Sequence, residues 1–357
     1  MDKATQSLIY IIRNRVFGKK FPEGFDFGKF SREEKAAVFD VANRHDLAHF
    51  VSDEKYYEAI WRVNAQESVL AEVEKLLSAS DIPFCVLKGP VVRKFYPEPW
   101  MRTSADIDIL VGDAADRAAG ILLSNGFDSR IEGSHHINVK HTDTGMHVEL
   151  HSVLVEDWKL PKAAEVLAGY DGSNAYIYFY HLAHMAKHVT AGGCGLRSFI
   201  DLALMVLNGY KDAEAEELIR RGGMEAFALI CESLAVELFV LDGEIELSED
   251  REKVFDYVIS GGSYGNVERS SAVLQEIYGS KAGYYFKRIV QPYRYLKWEY
   301  PVIQKWKVLY PVFVVVRWFR MLDPKKRKRA MDELRVGYEA NGKTRDEMDK
   351  VREILGI

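Results

Sequence analysis

The spacing of apolar residues divides the chain into a helical stretch, a short sheet-forming stretch and a second helical stretch. From the start to about residue 80, apolar residues recur with the period of an amphipathic helix, as at Leu8, Ile11, Ile12 and Val16. Between about 81 and 155, short apolar runs alternate with polar residues, which is typical of strands. From about 156 the helical period returns. We therefore expect an α+β protein, in which a small mixed sheet is flanked by large helical N- and C-terminal parts.

These changes of pattern predict four regions. The first is a helical N-terminal region at 1–80, where Ser31 and Glu34 form the sequence of a capping box. An α/β core follows at 81–155, and a helical domain at 156–265. The fourth region, 266–357, is helical, aromatic and basic.

Inside these regions, periodicity and turn residues predict individual elements. In the core, strands are expected at 84–87, 106–111, 127–131, 136–141 and 146–153, with a helix at 114–125. Outside the core, helices are expected at 32–44, 54–79, 174–190, 213–221, 225–241 and 250–260.

Carboxylates interrupt two of the predicted strands. Because side chains in a strand alternate between its faces, Asp106 and Asp108 point to one side while Ile107 and Ile109 point into the core. Like charges held side by side repel unless a cation lies between them. Hard divalent ions such as Mg²⁺ prefer oxygen ligands. Glu149, on another strand, also needs a partner, because a buried unpaired charge is costly.

The turn and loop before the Asp106 strand add residues suited to phosphate. In the run FCVLKGPVVRKFYPEPWMRTSADIDILV, Gly89 lets the backbone approach a ligand closely, and Lys88 and Arg102 supply positive charge. A lone D-x-D sequence is usually a solvated surface pair. The combination with a Lys-Gly turn and an arginine instead favours a metal-assisted phosphoryl or nucleotidyl transfer site.

The L-K-G turn, the following Tyr-Pro, Arg102 and the D-I-D-I-L-V strand resemble the uncharacterised nucleotidyltransferase family sometimes called nucleotidyltransferase family 5. That family belongs to the superfamily of polymerase-beta-like and kanamycin-type nucleotidyltransferases. The resemblance implies a nucleotidyltransferase core in which Asp106, Asp108 and Glu149 are catalytic and bind the metal. The third carboxylate stands in a V-D-L-H-like motif, which this chain writes Val148-Glu149-Leu150-His151.

The chain departs from the superfamily pattern at Pro90, where the superfamily has serine. The hydroxyl that would contact a phosphate is therefore missing, and proline also removes a backbone N–H. We expect Lys88, Gly89 and Arg102 to bind the nucleotide phosphates in its place.

A histidine-rich helix is predicted after the core. His181, His184 and His188 have spacings that place them on one face of the helix at 174–190. The resembling family has a comparable H-x-x-x-H, glycine turn and R-x-x-x-D pattern, here ending in Arg197 and Asp201. It implies that this helical pair closes over the nucleotide, with His184, His188, Arg197 and Asp201 lining the cleft. Arg197 and Asp201 could instead form a simple salt bridge within one helix.

Other histidines allow different interpretations. His135, His136, His141, His147 and His151 are close in sequence, but their spacing matches no known zinc motif. The loop-like stretch containing His45, Asp46 and His49 is expected to lie at the surface.

Composition limits the class of protein. The net charge of −5 argues against a general binder of long nucleic acids, which would usually be basic. Three cysteines with no paired spacing predict neither a disulfide framework nor a Cys-based zinc site, as expected in a reducing cytoplasm. No signal peptide is expected, and no run approaches the ~20 apolar residues of a membrane span. The aromatic C-terminal region and its basic run at 325–329 predict a helical pair packed on the core, or alternatively a membrane-surface arm.

We therefore expect a cytoplasmic, Mg²⁺- or Mn²⁺-dependent nucleotidyltransferase. It would move a nucleoside monophosphate from a nucleoside triphosphate to a small-molecule, sugar or protein acceptor and release pyrophosphate. One alternative is a non-catalytic nucleotide-binding or scaffold protein on the same fold, which Pro90 keeps open. Another is a D-x-D glycosyltransferase, which would need a larger α/β domain before the Asp106 strand.

Overall fold

A computed structural model of the protein describes residues 1–132, 136–155, 160–263, 265–277, 286, 290, 293, 296, 300, 302–320 and 342–357. It confirms the predicted α+β class, with one mixed sheet and helices before and after it. Ser31 and Glu34 form the predicted capping box: the Ser31 hydroxyl accepts from the Glu34 backbone N–H, and the Glu34 carboxylate accepts from the Ser31 N–H.

Helices precede the sheet and follow it. The helices of the described residues are α1 (Lys3–Phe17), α2 (Arg32–Arg44), α3 (Asp53–Ser78), α4 (Gly89–Arg93), α5 (Ala115–Leu123), α6 (Pro161–Leu167), α7 (Asn174–Thr190), α8 (Leu196–Leu207), α9 (Ala213–Gly222), α10 (Glu225–Phe239), α11 (Glu249–Gly261), α12 (Val267–Ile277), α13 (Val302–Lys305), α14 (Tyr310–Arg320) and α15 (Gly342–Leu355).

The described strands form a single sheet with the order β1-β2-β5-β4-β3. They are β1 (Cys85–Val86), β2 (Asp106–Leu110), β3 (Phe127–Glu132), β4 (His136–His141) and β5 (His147–His151). The central pair, β2 and β5, is parallel, and the other pairs are antiparallel.

Three strands are shorter than predicted, although β2, expected at 106–111, loses only its last residue. The strand expected at 84–87 is reduced to β1, since Lys88 has a positive φ of 51° that ends the extended backbone. The strand expected at 146–153 ends at His151, because its partner β2 ends at Leu110, the residue opposite.

The sheet has one apolar face and one polar face. Ile107, Ile109, Val148 and Leu150 are buried and pack with side chains of α3 and α5. The alternating residues of the same strands, among them Asp106, Asp108 and Glu149, point to the opposite face. The period of two in the sequence thus places the carboxylates together on the face away from this core.

Contacts group the chain into two compact units. One contains Met1–Val189, Gly193–Tyr264 and Arg352–Ile357, and it includes the sheet. The other contains Thr190–Gly192 and Gly265–Val351 and has a small apolar cluster of Leu296, Tyr300, Ile303 and Val314. The four regions expected from sequence stay a prediction.

The C-terminal region is described only in part. The basic run at 325–329 lies outside the described residues, as do Tyr295, Trp298 and His135. In α14, Val312, Trp318 and Phe319 expose much of their side chains. The choice between a packed helical pair and a membrane-surface arm stays open. No helix in the described ranges combines the length and the apolar character that crossing a membrane requires.

Candidate active site

The polar face of the sheet opens on a cavity of about 260 Å³ within the first compact unit. Asp108 on β2 lies directly opposite Glu149 on the parallel strand β5, and Asp106 lies two residues earlier on the same face. All three line the cavity. The sheet register therefore brings together the three carboxylates expected from sequence.

Asp108 is the most enclosed of the three and accepts two hydrogen bonds at one oxygen. Lys88 donates from Nζ to Asp108 Oδ1 at 2.9 Å, and Nε2 of His151 lies 2.8 Å from the same oxygen. Burial alone would raise the pKa of Asp108, but Lys88 and His151 more than offset it, so this pKa lies below its usual range. Asp108 is thus a carboxylate that stays ionised.

The Lys88 turn has an unusual backbone. Lys88 has φ 51° and ψ −114°, a combination of backbone angles that residues other than glycine rarely adopt. At Gly89, an added Cβ would lie 2.8 Å from the Ser104 hydroxyl, so any larger residue would have to displace that hydroxyl. The strained turn directs the Lys88 ammonium at Asp108.

Glu149 shares its surroundings with two histidines and an asparagine. Its carboxylate lies 3.5 Å from His151 Nε2 and 3.7 Å from His136 Nε2, and it accepts a hydrogen bond of 3.4 Å from Asn138. In the described parts of the chain, one group of at least three residues could hold a metal ion: Asp108, Glu149 and His151, whose ligand atoms all lie within 4.8 Å of one another. His151 stands in the expected motif, but sequence reasoning gave it no role.

The remaining carboxylate differs electrostatically from the other two. Burial and the neighbouring charge of Asp108 raise the pKa of Asp106 to about 6. Burial would also raise the pKa of Glu149, but the hydrogen bond from His151 brings it below its usual value. As the pH falls, Asp106 is therefore the first of the three carboxylates to take up a proton.

Helix α7 forms another wall of the cavity, which is lined by His184 and His188, the two histidines expected there, and also by His181. His181 donates from Nε2 to the Ser198 carbonyl at 2.9 Å, and Nε2 of His184 lies 2.9 Å from Nε2 of His188. Burial and the nearby Lys88 ammonium lower the pKa of His184 well below its usual value. Tyr180, which sequence reasoning missed, lies near Lys88 and packs against His184, with the ring centroids 5.9 Å apart. Its position one turn before His184 is the signal that could have found it.

Arg102 and Asp201 also line the cavity, but they bind each other. Arg102 Nε lies 2.8 Å from Asp201 Oδ1, Arg102 Nη2 lies 2.8 Å from Asp201 Oδ2, and both side chains are buried. Tyr96 donates a further hydrogen bond of 2.6 Å to Asp201. The alternative of a salt bridge between Arg197 and Asp201 is therefore wrong, because the Asp201 carboxylate pairs with Arg102 instead.

Arg197 instead joins the cavity to a second, smaller polar pocket. Its Nη1 donates to the Thr103 carbonyl at 3.2 Å and lies 3.5 Å from Asp46 Oδ2. The expectation of a surface loop around Asp46 is wrong for its histidines: His45 and His49 are buried. Leu47 and Phe50 of the same loop are buried as well, so the loop packs into the interior of the protein.

The burial of these two histidines predicts that the folded protein loses stability as the pH falls. Burial lowers the pKa of His45 and of His49 to about 4. In the unfolded chain they would bind protons near pH 6.5. The stability that their neutral forms contribute is therefore complete above about pH 6.5 and is lost as the pH falls towards 4. We expect the free energy of chemical unfolding to fall by about 2–3 kcal/mol per histidine over this range.

His45→Asn tests this pH dependence. Nδ1 of His45 accepts a 3.2 Å hydrogen bond from the Leu196 backbone N–H, and an asparagine oxygen can accept the same bond without titrating. The variant should match the wild type at pH 8 within about 1 kcal/mol and lose less stability at pH 5. An equal loss in both proteins would contradict the assignment.

Comparison with protein families identifies one match. The family model described as "Uncharacterised nucleotidyltransferase" matches residues 37–239, which contain the whole sheet and the cavity walls from α7 and α8. The searches of curated proteins and of solved structures returned no match.

Proposed function

The chain belongs to the uncharacterised nucleotidyltransferase family, and from this premise we propose that it moves a nucleoside monophosphate from a nucleoside triphosphate to an acceptor hydroxyl. The observation that carries the proposal is the pairing of Asp108 with Glu149 across two parallel strands, with Asp106 on the same face. Carboxylates arranged in this way, beside a lysine and an arginine, suit a metal-bound triphosphate.

The donor set fits a divalent ion. Asp108 and Glu149, with Asp106 beside them, offer carboxylate oxygens to Mg²⁺ or Mn²⁺, and His151 adds a nitrogen. A bound ion would neutralise charge on the triphosphate and polarise the α-phosphate.

The remaining roles follow from position in the cavity. Lys88, Gly89, His184, His188 and Arg197 line it, and we assign them to nucleotide binding. Arg102 and Asp201 line it too, and we propose that as a pair they shape the nucleotide-binding wall.

In the reaction, the acceptor oxygen forms a bond to the α-phosphorus. The bond between that phosphorus and its oxygen bridge to the β-phosphorus breaks, and this oxygen leaves with pyrophosphate. The proton of the acceptor hydroxyl passes to Asp106 or Glu149. A small molecule, a sugar or a protein side chain could supply the hydroxyl, whereas the net charge of −5 argues against a long nucleic acid. We place the reaction in the cytoplasm, which suits the free thiols of Cys85, Cys194 and Cys231.

Two alternatives predict different results. A scaffold lacking turnover, the alternative that Pro90 keeps open, would bind nucleotide without releasing pyrophosphate. A glycosyltransferase would require a larger α/β domain before β2, but residues 1–84 contain helices and no strand.

The test is thermal unfolding with each nucleoside triphosphate, with and without Mg²⁺ or Mn²⁺, followed by a pyrophosphate-release assay. A ligand specific to the folded state adds about 2.7 kcal/mol at a hundredfold excess over its dissociation constant. We expect a metal-dependent shift with at least one triphosphate. Asp106→Asn combined with Asp108→Asn should abolish it without unfolding the protein, whereas Asp113→Asn, an exposed carboxylate after β2, should keep it. A shift that survives the double substitution would refute the site.

A further inference from the structure

The nitrogen donor within the carboxylate cluster carries a consequence for metal choice. We propose that His151 Nε2 is a direct ligand, and that the site made by Asp108, Glu149 and His151 prefers a first-row transition-metal ion over Mg²⁺. This inference rests on the metal site of the proposed function, although metal binding can be measured without nucleotide transfer.

The distances fit ligands of one ion. His151 Nε2 lies 2.8 Å from Asp108 Oδ1 and 3.5 Å from Glu149 Oε2. Neighbouring ligands with bonds of about 2.1 Å are separated by roughly 3.0 Å in an octahedral site and roughly 3.4 Å in a tetrahedral one. The two separations from His151 are therefore already close to those of ligands on one ion, and the carboxylate oxygens lie within 4.8 Å of each other.

The chemistry of the donors decides between metals. Mg²⁺ requires near-ideal octahedral geometry, prefers oxygen ligands and dehydrates reluctantly. An imidazole nitrogen is a better ligand for ions such as Zn²⁺, Co²⁺ and Fe²⁺, and Mn²⁺ accepts mixed nitrogen and oxygen sites. A site in which one of the three protein ligands is an imidazole nitrogen therefore favours transition-metal ions.

The surroundings support Glu149 as a ligand. Asn138 donates to Glu149 Oε1 at 3.4 Å, and His136 Nε2 lies 3.7 Å from the same oxygen. Hydrogen bonds of this kind orient metal-bound carboxylates and commonly affect metal affinity by about 10- to 100-fold. The cavity is also rich in imidazole, since its lining includes five of the ten histidines of the chain: His136, His151, His181, His184 and His188.

His151 could instead only hold Asp108 in position through its hydrogen bond. His151→Gln separates these roles, because a glutamine amide can donate from nearly the position of Nε2 but is a poor metal ligand. His141→Gln is the matched control, since His141 on β4 contacts Thr144 and Phe127 and does not line the cavity.

The experiment titrates the full chain, without nucleotide, with Mn²⁺, Zn²⁺ and Mg²⁺, and records the electron spin echo modulation of the Mn²⁺-bound protein. We expect Mn²⁺ and Zn²⁺ to bind at least about tenfold more tightly than Mg²⁺, and the Mn²⁺ spectrum to show coupling to a ligated ¹⁴N nucleus. His151→Gln should remove the ¹⁴N coupling and weaken Mn²⁺ binding at least about tenfold. His141→Gln should change neither.

Equal affinities for Mn²⁺ and Mg²⁺, nitrogen coupling that persists in His151→Gln, or no metal binding at all would each overturn the inference. The proposed function fails separately. If a triphosphate shifts the unfolding temperature equally with Mg²⁺ and in His151→Gln, the proposed function stands and the nitrogen ligand is refuted. If Mn²⁺ shows a nitrogen ligand but no triphosphate shifts unfolding, the metal site stands and the proposed function fails.

Discussion

Replacing Arg102 with methionine is expected to destabilise the protein by about 3–5 kcal/mol. The substitution leaves the Asp201 carboxylate buried, with the Tyr96 hydroxyl still donating a hydrogen bond to it. Burial by itself raises the pKa of Asp201, and the Arg102 charge is the main influence that keeps it below its usual value. Without that charge, the folded state must hold an ionised carboxylate at low polarity or take up a proton. Chemical unfolding at pH 7, followed by tryptophan fluorescence, measures the loss.

The double variant Arg102→Met with Asp201→Leu supplies the control. Removing both charges avoids an unpaired buried ion, so most of the lost stability should return. A double variant as unstable as Arg102→Met alone would show that packing, and not charge pairing, explains the loss.

The same pair of variants tests the nucleotide-binding role expected for Arg102 from sequence. Arg102 also donates to the Thr103 carbonyl at 2.6 Å, so this guanidinium already has several partners within the protein. If stability returns in the double variant while triphosphate affinity falls more than tenfold, Arg102 contacts the nucleotide as well. If affinity is retained, its role is to hold the cavity wall.

The sequence patterns were sufficient for the sheet and for its acidic face. Apolar and polar residues alternate in β2 and β5. In a strand this alternation puts the apolar side chains on one face, which packs into the core, as seen for Ile107, Ile109, Val148 and Leu150. The bounds of β4 and of α7 were predicted to the residue, because turn residues or changes of periodicity lie at both ends. Local signals of this kind do not depend on distant parts of the chain.

Pairings between distant segments could not be predicted. Arg102 and Asp201 are 99 residues apart, and the only partner that sequence spacing offered for Asp201 was Arg197, four residues away. The burial of His45 was missed for the same reason, since its partner is the backbone N–H of Leu196 on α8. Likewise, His151 stands in the motif quoted from the sequence. Only the register of β2 with β5 shows that His151 and Lys88 contact the same oxygen, Oδ1 of Asp108. Such contacts depend on how elements pack, which the sequence around each residue does not encode.

Lys88→Met is expected to change metal affinity and nucleotide affinity in opposite directions. The Lys88 ammonium lies 2.9 Å from Oδ1 of Asp108, one of the three residues of the candidate metal site. It thus competes with a cation for the same oxygen. Removing it should tighten Mn²⁺ binding to the nucleotide-free protein by about tenfold, because charges this close interact by up to about 4 kcal/mol even at moderate screening.

Nucleotide binding should respond in the other direction. When a metal takes Asp108 Oδ1, the ammonium can turn to the phosphates, and the strained φ of 51° at Lys88 keeps it at the cavity. Losing a charged contact to a phosphate costs about 2 kcal/mol or more, so triphosphate affinity at saturating Mn²⁺ should fall by about 30-fold or more. Isothermal titration of Mn²⁺ alone, and then of triphosphate at saturating Mn²⁺, measures both changes on one protein.

Lys94→Met is the matched control, because Lys94 follows α4, contacts Phe95 and Tyr210, and does not line the cavity. It should change neither affinity by more than about twofold. If Lys88→Met weakened both metal and nucleotide binding, the ammonium would be maintaining the shape of the site and not competing for Asp108. If it altered metal affinity alone, the lysine would act only as a counter-charge to Asp108, and other cavity residues such as Arg197 would contact the phosphates.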